Sequence, residues 1–470
     1  MQTITYILPE LFLSISILIL LMMGVFIKKS FKLIYFLANL TIVFTIVLVI
    51  NLPDQTIKIF NESIIVDSFA NYMKILTLLF SLLVMISSEN YIKNNSLDKI
   101  EYPIIVLFSI LGMLLMISSY DLIVFYLGLE LQSLCLYILA SFKRNNERST
   151  EAGLKYFVLS ALASGLLLYG SSLIYGFTGS TNFKFISLNL DISNMGAVFG
   201  IVFVIVGLSF KLSAVPFHMW APDVYEGSPT SVTSFFAIVP KIAALSVFIR
   251  FMYVPFINMI EQWQIIIVFL SIGSMILGAV AAIGQNNIKR LMAYSSIGHI
   301  GYALAGISTG NNLGIQSTII YLTIYLIMNI GAFGFILTMK RENTYYENIN
   351  ELSGLSNNHP ILALGFLIIL FSLAGIPPLA GFFAKFYIFM AVIESEMYTL
   401  AIIGLITTVI SAFYYLRIIK IIYFDKPKKP FEKDYNLGLK ASLTLSSIVI
   451  LIYFVNPSIL NDIISTLIVY

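Results

Sequence analysis

Apolar runs of about 20 residues follow one another along almost the whole chain, and each is long enough to cross a bilayer as a helix. Of the 470 residues, 59% are hydrophobic and 11% are charged, whereas about a quarter are charged in ordinary soluble proteins. A water-soluble core cannot bury so many apolar side chains. The sequence therefore predicts an all-α, polytopic membrane protein, with residues 1–470 forming a single membrane domain.

We expect about fourteen transmembrane helices. Their approximate bounds are 7–27, 33–52, 72–90, 103–119, 121–142, 152–176, 195–222, 229–252, 262–283, 288–308, 313–339, 360–394, 397–424 and 440–460. The stretch 53–71 is more polar than its neighbours, and it predicts a short hairpin outside the membrane.

Basic residues are concentrated in alternate loops between these helices. One side holds Lys28, Lys29, Lys32, Lys93, Lys99, Lys143, Arg144, Arg148, Lys289, Arg290, Lys340, Arg341, Lys426, Lys428, Lys429 and Lys433. The opposite loops hold little beyond Lys58, Lys184 and Arg250. Because loops rich in lysine and arginine stay in the cytoplasm, we expect a multi-pass protein of the bacterial inner membrane with both termini on the periplasmic side. A mitochondrial inner membrane is the alternative.

The seventh and twelfth of these helices contain helix-breaking sequences. The seventh holds KLSAVP at 211–216, and the twelfth holds GIPP at 375–378 within a run too long for one unbroken span. Proline removes a backbone donor and clashes with the preceding turn, so we expect both helices to be broken. Each break falls in the fourth helix of a five-helix block, at 103–252 and 262–424. Since five is odd, the blocks form an inverted repeat, as in many transporters.

Five charged residues lie within the predicted spans and away from their ends, or nearly so: Glu130, Lys155, Lys211, Lys241 and Lys385. Each charge at mid-membrane costs about 2.5–3.5 kcal/mol, so these groups must be paired, hydrated or neutral. Arginine keeps its proton when buried, whereas lysine can release it. A row of buried lysines therefore predicts a proton path.

Within this path, an approach of Glu130 to Lys211 would stabilise the ammonium, and its retreat would favour release of the proton. His299 is placed to bridge the two blocks. A structural role is the alternative for each residue, with the lysine binding backbone carbonyls or the histidine bonding to a neighbouring helix. Lys155 lies within two turns of the cytoplasmic end of its helix, and His218 is explained at least as well by packing as by proton transfer.

The sequence indicates no bond-making chemistry on this chain. It contains no phosphate-binding loop, no zinc-type Cys/His cluster and no nucleophile elbow, and its single cysteine, Cys135, lies inside an apolar run. We therefore expect no metal and no cofactor on the chain. The net charge of +3 is too small to indicate nucleic acid as a partner.

Three segments resemble a known family. They are KLSAVPFHMWAPDVYEGSPT at 211–230, NIKRLMAYSSIGH at 287–299 and GIPPLAGFFAK at 375–385. Together they are similar to the subunit N family of NADH-quinone oxidoreductase (respiratory complex I), and the last two are shared with the broader antiporter-like family. The resemblance covers nearly the whole chain and is most specific from about 120 to 420.

This resemblance implies proton translocation in the membrane arm of the complex, driven by electron transfer from NADH to quinone in other subunits. NADH, FMN, iron–sulfur clusters and quinone would belong to those subunits; the partners would be other membrane-arm subunits, the lipid bilayer and protons. Glu130 matches the family's fifth-helix glutamate, and Lys211 matches the lysine paired with it. Lys241 matches the central lysine, Lys385 the lysine towards the exit, and Lys155 an additional lysine near the entrance. A cation/proton antiporter subunit is the main alternative, and a non-transporting scaffold subunit is the second.

Overall fold

The computed structural model describes residues 2–27, 30–191, 194–433 and 435–467. Within these ranges, ten helices are long and apolar enough to cross a membrane. The chain therefore has the architecture of a multi-pass helical membrane protein. Lys28 and Lys29, which count towards the predicted cytoplasmic charge, lie outside the described residues.

The N-terminal part forms three long helices and one hairpin. Its elements are α1 (Gln2–Tyr6), α2 (Leu8–Phe26), α3 (Phe31–Ile50), β1 (Ile57–Ile59), β2 (Ile64–Val66) and α4 (Ser68–Asn94). The two strands pair antiparallel with Lys58 opposite Ile65, so the hairpin predicted within 53–71 is present. Helix α4 begins at Ser68 because the Asp67 carboxylate accepts a hydrogen bond from the Ala70 N–H at 2.7 Å.

The next part contains the first predicted break. Its helices are α5 (Glu101–Ile117), α6 (Leu122–Ala140), α7 (Glu147–Thr178), α8 (Phe183–Asn189), α9 (Met195–Leu212), α10 (Trp220–Gly227) and α11 (Thr230–Tyr253). Helix α9 ends where Ser213 adopts a left-handed φ of 59°, and the connection that follows contains Pro216. The Trp220 indole donates to the freed Phe210 carbonyl at 2.9 Å. The predicted helix at 195–222 is therefore two helices.

The last part contains the second break. Its elements are α12 (Ile260–Ile283), α13 (Ile288–Ser308), α14 (Asn312–Ile336), the antiparallel pair β3 (Lys340–Arg341) and β4 (Thr344–Tyr345), α15 (Leu355–Asn358), α16 (Pro360–Ala374), α17 (Ala380–Glu394), α18 (Tyr398–Phe424), α19 (Leu437–Ile452) and α20 (Ser458–Ser465). Short 3-10 turns at Ile257–Met259 and Ile349–Leu352 precede α12 and α15. Helix α16 ends where Gly375 adopts a φ of 84°, so the second predicted break is also confirmed.

Helices α11 and α14 form the centre of the molecule. In their most apolar 18-residue windows, 100% of α11 and 94% of α14 is buried, against 39% of α7 or α18. The outer helices expose many large apolar side chains, as expected of surfaces that face lipid. A polar side chain on α11 or α14 is therefore surrounded by other helices.

The same contacts recur at positions 166 residues apart. A backbone bridge between Asp121 and Asn182 joins the start of α6 to the start of α8. An equivalent bridge between Asn287 and Asn348 joins the start of α13 to the 3-10 turn that follows α14. Both members of the second bridge lie 166 residues after those of the first.

Close helix contacts follow the same register. A Cβ atom added to Gly112 of α5 would lie 2.6 Å from the Gln132 nitrogen of α6. A Cβ added to Gly278 of α12 would lie 2.4 Å from the Gly298 nitrogen of α13. Gly278 lies 166 residues after Gly112, and Gly298 lies 166 residues after Gln132. The pairs α5–α6 and α12–α13 therefore approach each other closely at corresponding points, where only glycine fits.

Candidate functional site

Lys211 lies in the last turn of α9, in a pocket lined with hydroxyl groups. Its ammonium donates to Ser133 Oγ and to Ser160 Oγ, each at 2.7 Å. The Tyr137 hydroxyl also donates to Ser160 Oγ, at 2.5 Å. Side chains from α6 and α7 thus solvate a lysine that is itself 8% exposed, whereas the sequence suggested the freed backbone of the break for this role.

Glu130 is on the same face of α6 as Ser133, one turn earlier. Its Oε1 atom is buried and makes no hydrogen bond to a described residue. Lys211 bonds to the two serine hydroxyls, and the ion pairs within 4 Å in the described part of the chain do not include the expected Glu130–Lys211 pair.

Lys241 lies near the middle of α11 and is 2% exposed. Its ammonium is 3.4 Å from the Tyr325 hydroxyl, which in turn donates to Ser296 Oγ at 2.9 Å. The ammonium also lies 5.9 Å from the centre of the Tyr225 ring and 5.7 Å from that of Tyr325. Two aromatic rings and a hydroxyl therefore surround the ammonium.

His299 lies on α13 between two tyrosine hydroxyls. Its Nδ1 is 2.6 Å from the Tyr321 hydroxyl and its Nε2 is 3.2 Å from that of Tyr415. The Tyr415 hydroxyl also forms a hydrogen bond with Ser295 Oγ, at 2.5 Å. Both ring nitrogens therefore have a partner able to donate or accept a proton.

Lys385 binds the broken end of α16. Its ammonium donates to the Ala374 carbonyl at 3.1 Å and to the Leu373 carbonyl at 3.4 Å. The negative end of the α16 dipole thus faces the lysine. A cavity of about 10 Å³ lies between Lys385 and His299, and a space of this size accommodates about one water molecule.

Lys155 differs from the expectation of a buried lysine. Its side chain is 41% exposed and forms ion pairs with Glu151 at 2.7 Å and with Asp223 at 3.0 Å. Asp223 also pairs with Arg290 at 2.7 Å. Burial opposes ionisation of Asp223, but the hydrogen bonds from Lys155 and Arg290 outweigh it and hold the pKa of this carboxyl below its usual range. Lys155 belongs to a charged cluster at the end of the bundle.

A second group of ion pairs ties the loop after α14 to the loop after α18. Glu351 accepts from Lys428 at 2.8 Å and from Arg341 at 2.5 Å. The Lys428 ammonium, with the Arg341 guanidinium beside it, holds the pKa of the Glu351 carboxyl below its usual range. The sequence assigned both loops to the cytoplasmic side from their basic residues, and Glu351 pairs with one basic residue from each loop.

Two buried ion pairs were missed by the sequence reasoning. Lys74 of α4 lies 2.6 Å from Glu10 of α2, with side chains 1% and 5% exposed. Arg250 of α11 binds both oxygens of Asp67, at 2.8 and 3.0 Å. The burial of Lys74 could have been predicted, because this residue lies nearly two turns after the start of α4 at Ser68. The predicted helix began only at residue 72, so Lys74 was placed at its end.

His218 lies in the connection between α9 and α10. It is half-buried, and its Nδ1 makes no hydrogen bond to a described residue. Among the described residues, no three His, Cys, Asp or Glu side chains come together as metal ligands.

The chain is similar to known proteins over nearly its whole length. The family described as NADH:quinone oxidoreductase/Mrp antiporter, TM matches residues 119–411. NADH-quinone oxidoreductase subunit N of Pelagibacter ubique is 62% identical over 466 residues, which cover 99% of each chain. A chain of respiratory complex I from Thermus thermophilus with bound aureothin has a TM-score of 0.83 at 28% identity, covering 97% of this chain and 98% of that one. A chain of the Mrp complex from Dietzia sp. has a TM-score of 0.85 at 21% identity, covering 99% and 97%, and this likeness shows the fold alone.

Proposed function

This chain belongs to the NADH-quinone oxidoreductase subunit N family, and we propose that it translocates protons in the membrane arm of that complex. Electron transfer from NADH to quinone in other subunits supplies the free energy. This chain moves protons through its buried lysines, a glutamate and a histidine.

One observation carries the proposal: among the described residues, the buried lysines of the path form no ion pair within 4 Å, whereas the equally buried Lys74 and Arg250 each form one. Lys211, Lys241 and Lys385 contact hydroxyls or carbonyls, while Lys74 and Arg250 contact carboxylates. A fixed carboxylate holds a lysine in its charged form, because losing the proton would leave the anion unpaired. Neutral partners leave the lysine free to gain and lose a proton.

The path runs from the first block to the second. Lys211 holds a proton among hydroxyls, and movement of Glu130 towards or away from it shifts the balance between the charged and neutral amine. Lys241 stands at the centre, in contact with the Tyr325–Ser296 pair. His299 then passes the proton across the small cavity to Lys385.

Glu130, Lys155, Lys211, Lys241, His299 and Lys385 are the residues we assign to proton translocation. Lys155 acts at the mouth of the path: its ion pairs with Glu151 and Asp223 keep it charged, so it sets the electrostatic field at the entrance and does not itself exchange the proton. His218 is left without an assigned role, because its imidazole contacts none of the lysines of the path.

We further propose fourteen transmembrane segments and two inverted repeats, 103–252 and 262–424. The helices α2–α7, α11–α14, α18 and α19 each count as one segment, and the two broken helices, α9 with α10 and α16 with α17, count as one each. The recurrence of bridges and glycine contacts at a spacing of 166 residues supports the repeat. Five segments separate the related elements, so the two blocks have opposite orientations.

The surroundings of the chain follow from the same proposal. It lies in the bacterial inner membrane with its basic loops in the cytoplasm and both termini in the periplasm. Its partners are other membrane-arm subunits, the lipid bilayer and protons. NADH, FMN, iron–sulfur clusters and quinone are bound by other subunits, and this chain holds no cofactor of its own.

A cation/proton antiporter subunit is the second candidate. The observation that favours it is the unpartnered Oε1 atom of Glu130, because carboxylate oxygens are the ligands that hard cations prefer. Dependence of proton movement on sodium in the assay below would support this alternative.

The test is proton pumping by the assembled complex reconstituted in vesicles, driven by NADH. Replacing Lys241 or Lys211 with methionine keeps the side-chain length and removes the amine, so pumping should fall by roughly tenfold or more. The control is the Glu10→Met/Lys74→Met double variant, which removes a buried lysine outside the path and should pump normally. Unchanged pumping in both Lys241→Met and Lys211→Met would refute the proposal.

A further inference from the structure

A large polar cavity opens beside the start of the central helix α11. Its volume is about 730 Å³, and its lining includes Tyr91, Ser228, Pro229 and Lys289. Pro229 directly precedes α11, the helix that carries Lys241. The cavity therefore brings solvent to one end of a helix that is otherwise buried on all sides.

Serine hydroxyls continue from this cavity into the protein. Ser228, Ser231 and Ser234 are each 0% exposed. The hydroxyls of Ser228 and Ser234 make no hydrogen bond to a described residue, and that of Ser231 lies beside the Tyr102 phenol without reaching hydrogen-bond geometry. Because a buried hydroxyl without a protein partner costs free energy, such groups are ordinarily satisfied by water.

The helix geometry directs this row towards Lys241. Ser234 and Lys241 are seven residues apart, which places both on the same face of α11 and about 10 Å apart along its axis. Because the Cα–Cβ bonds of a helix tilt towards its start, the Lys241 side chain leaves the backbone in the direction of Ser234. One or two water molecules are enough to span the remaining distance.

We propose that Ser228, Ser231 and Ser234 form a proton-uptake route from the polar cavity to Lys241. A proton passes from water in the cavity to the neutral Lys241 amine, and each hydroxyl on the way accepts one proton and donates one. No hydroxyl changes its charge in the transfer. The route rests on the proposed function, because it supplies the central lysine of the path.

The experiment compares Ser234→Val with Ser234→Thr in the assembled complex, with NADH-driven proton pumping and its solvent isotope effect as readouts. Valine and threonine have nearly the same shape, and only threonine keeps the hydroxyl. We expect the valine variant to pump roughly tenfold more slowly, the rate equivalent of one lost hydrogen bond in the relay. Its D₂O isotope effect should also increase, while the threonine variant stays near wild type.

The matched control is Ser246→Val. Ser246 lies on the same helix beyond Lys241, is 1% exposed, and already donates to the Ile242 carbonyl at 2.6 Å. Because its hydroxyl is satisfied within the helix, this variant should pump at the wild-type rate and with the wild-type isotope effect.

Equal pumping by the valine and threonine variants overturns the uptake route. If neither branched side chain allows assembly, Ser234→Ala decides: a wild-type rate overturns the route, and a rate near one tenth supports it. Lys241→Met separates this inference from the proposed function. If Lys241→Met does not pump protons while Ser234→Val pumps as fast as Ser234→Thr, the uptake route is refuted and the proposed function stands.

Discussion

The buried pair Glu10–Lys74 allows a quantitative prediction. The two charged atoms are 2.6 Å apart, and both side chains are almost fully buried between α2 and α4. Replacing either residue with methionine leaves the other charge buried and unpaired, which typically costs about 3–5 kcal/mol. Replacing both removes the charge altogether, so the double variant should be as stable as wild type or more stable. The coupling free energy of this cycle should thus be roughly 6–10 kcal/mol in size.

The single cysteine provides the assay. Cys135 is buried in α6, which packs on α5, and α5 packs on α2. In the isolated chain in detergent, a thiol-reactive fluorophore labels it only after opening of this region. A loss of about 3–5 kcal/mol should accelerate labelling by roughly two to nearly four orders of magnitude in each single variant, with the wild-type rate restored in the double variant. Additive effects of the two substitutions would show that the charges do not interact and would refute the reasoning.

Three further predictions concern other parts of the molecule. Gly375→Ala forces alanine into a left-handed conformation at roughly 1–2 kcal/mol and places its Cβ 3.2 Å from Lys385 Nζ; we expect severalfold slower pumping by an assembled complex, and normal pumping would contradict this. Gly278→Val should prevent stable assembly, as judged by recovery of the purified complex, because α12 and α13 touch there; Gly284→Ala, with nothing within 4 Å of the added carbon, should be tolerated. The lowered pKa of Glu351 stabilises the fold above the unfolded value of roughly 4.3, and this contribution is lost as pH falls through the folded value. Between about pH 6 and about pH 2, the thermal unfolding temperature of wild type should therefore fall more steeply than that of Glu351→Gln, and parallel pH profiles would exclude the effect.

The local features of the fold were predictable because they depend on neighbouring residues. Runs of apolar side chains give helices at nearly all the expected positions, and the hairpin at 57–66 follows from the polar interruption. The breaks at Pro216 and Gly375 follow from the backbone chemistry of proline and glycine. The predicted bounds differ most where polar residues extend a helix, as at the start of α4.

The surroundings of the charges were not predictable to the same extent. The sequence suggested that Glu130 pairs with Lys211, but the ammonium bonds to two serines from different helices. Serine is common in membrane helices, and no pattern marks the two that face a lysine far away in the chain. The burial of Lys155 was overestimated for a similar reason, because exposure at a helix end depends on which neighbours pack there.

The sequence by itself determined that the chain is a bundle of membrane helices, where two of them break, and which ionisable residues lie within them, because bilayer thickness and backbone chemistry act residue by residue. Only the tertiary structure decided which of those charges are neutralised. Lys74 and Lys241 are both lysines in apolar helices, yet one meets a carboxylate and the other a hydroxyl. That difference arises from the packing of distant helices, and it separates a lysine that is paired within the fold from one that we propose carries a proton.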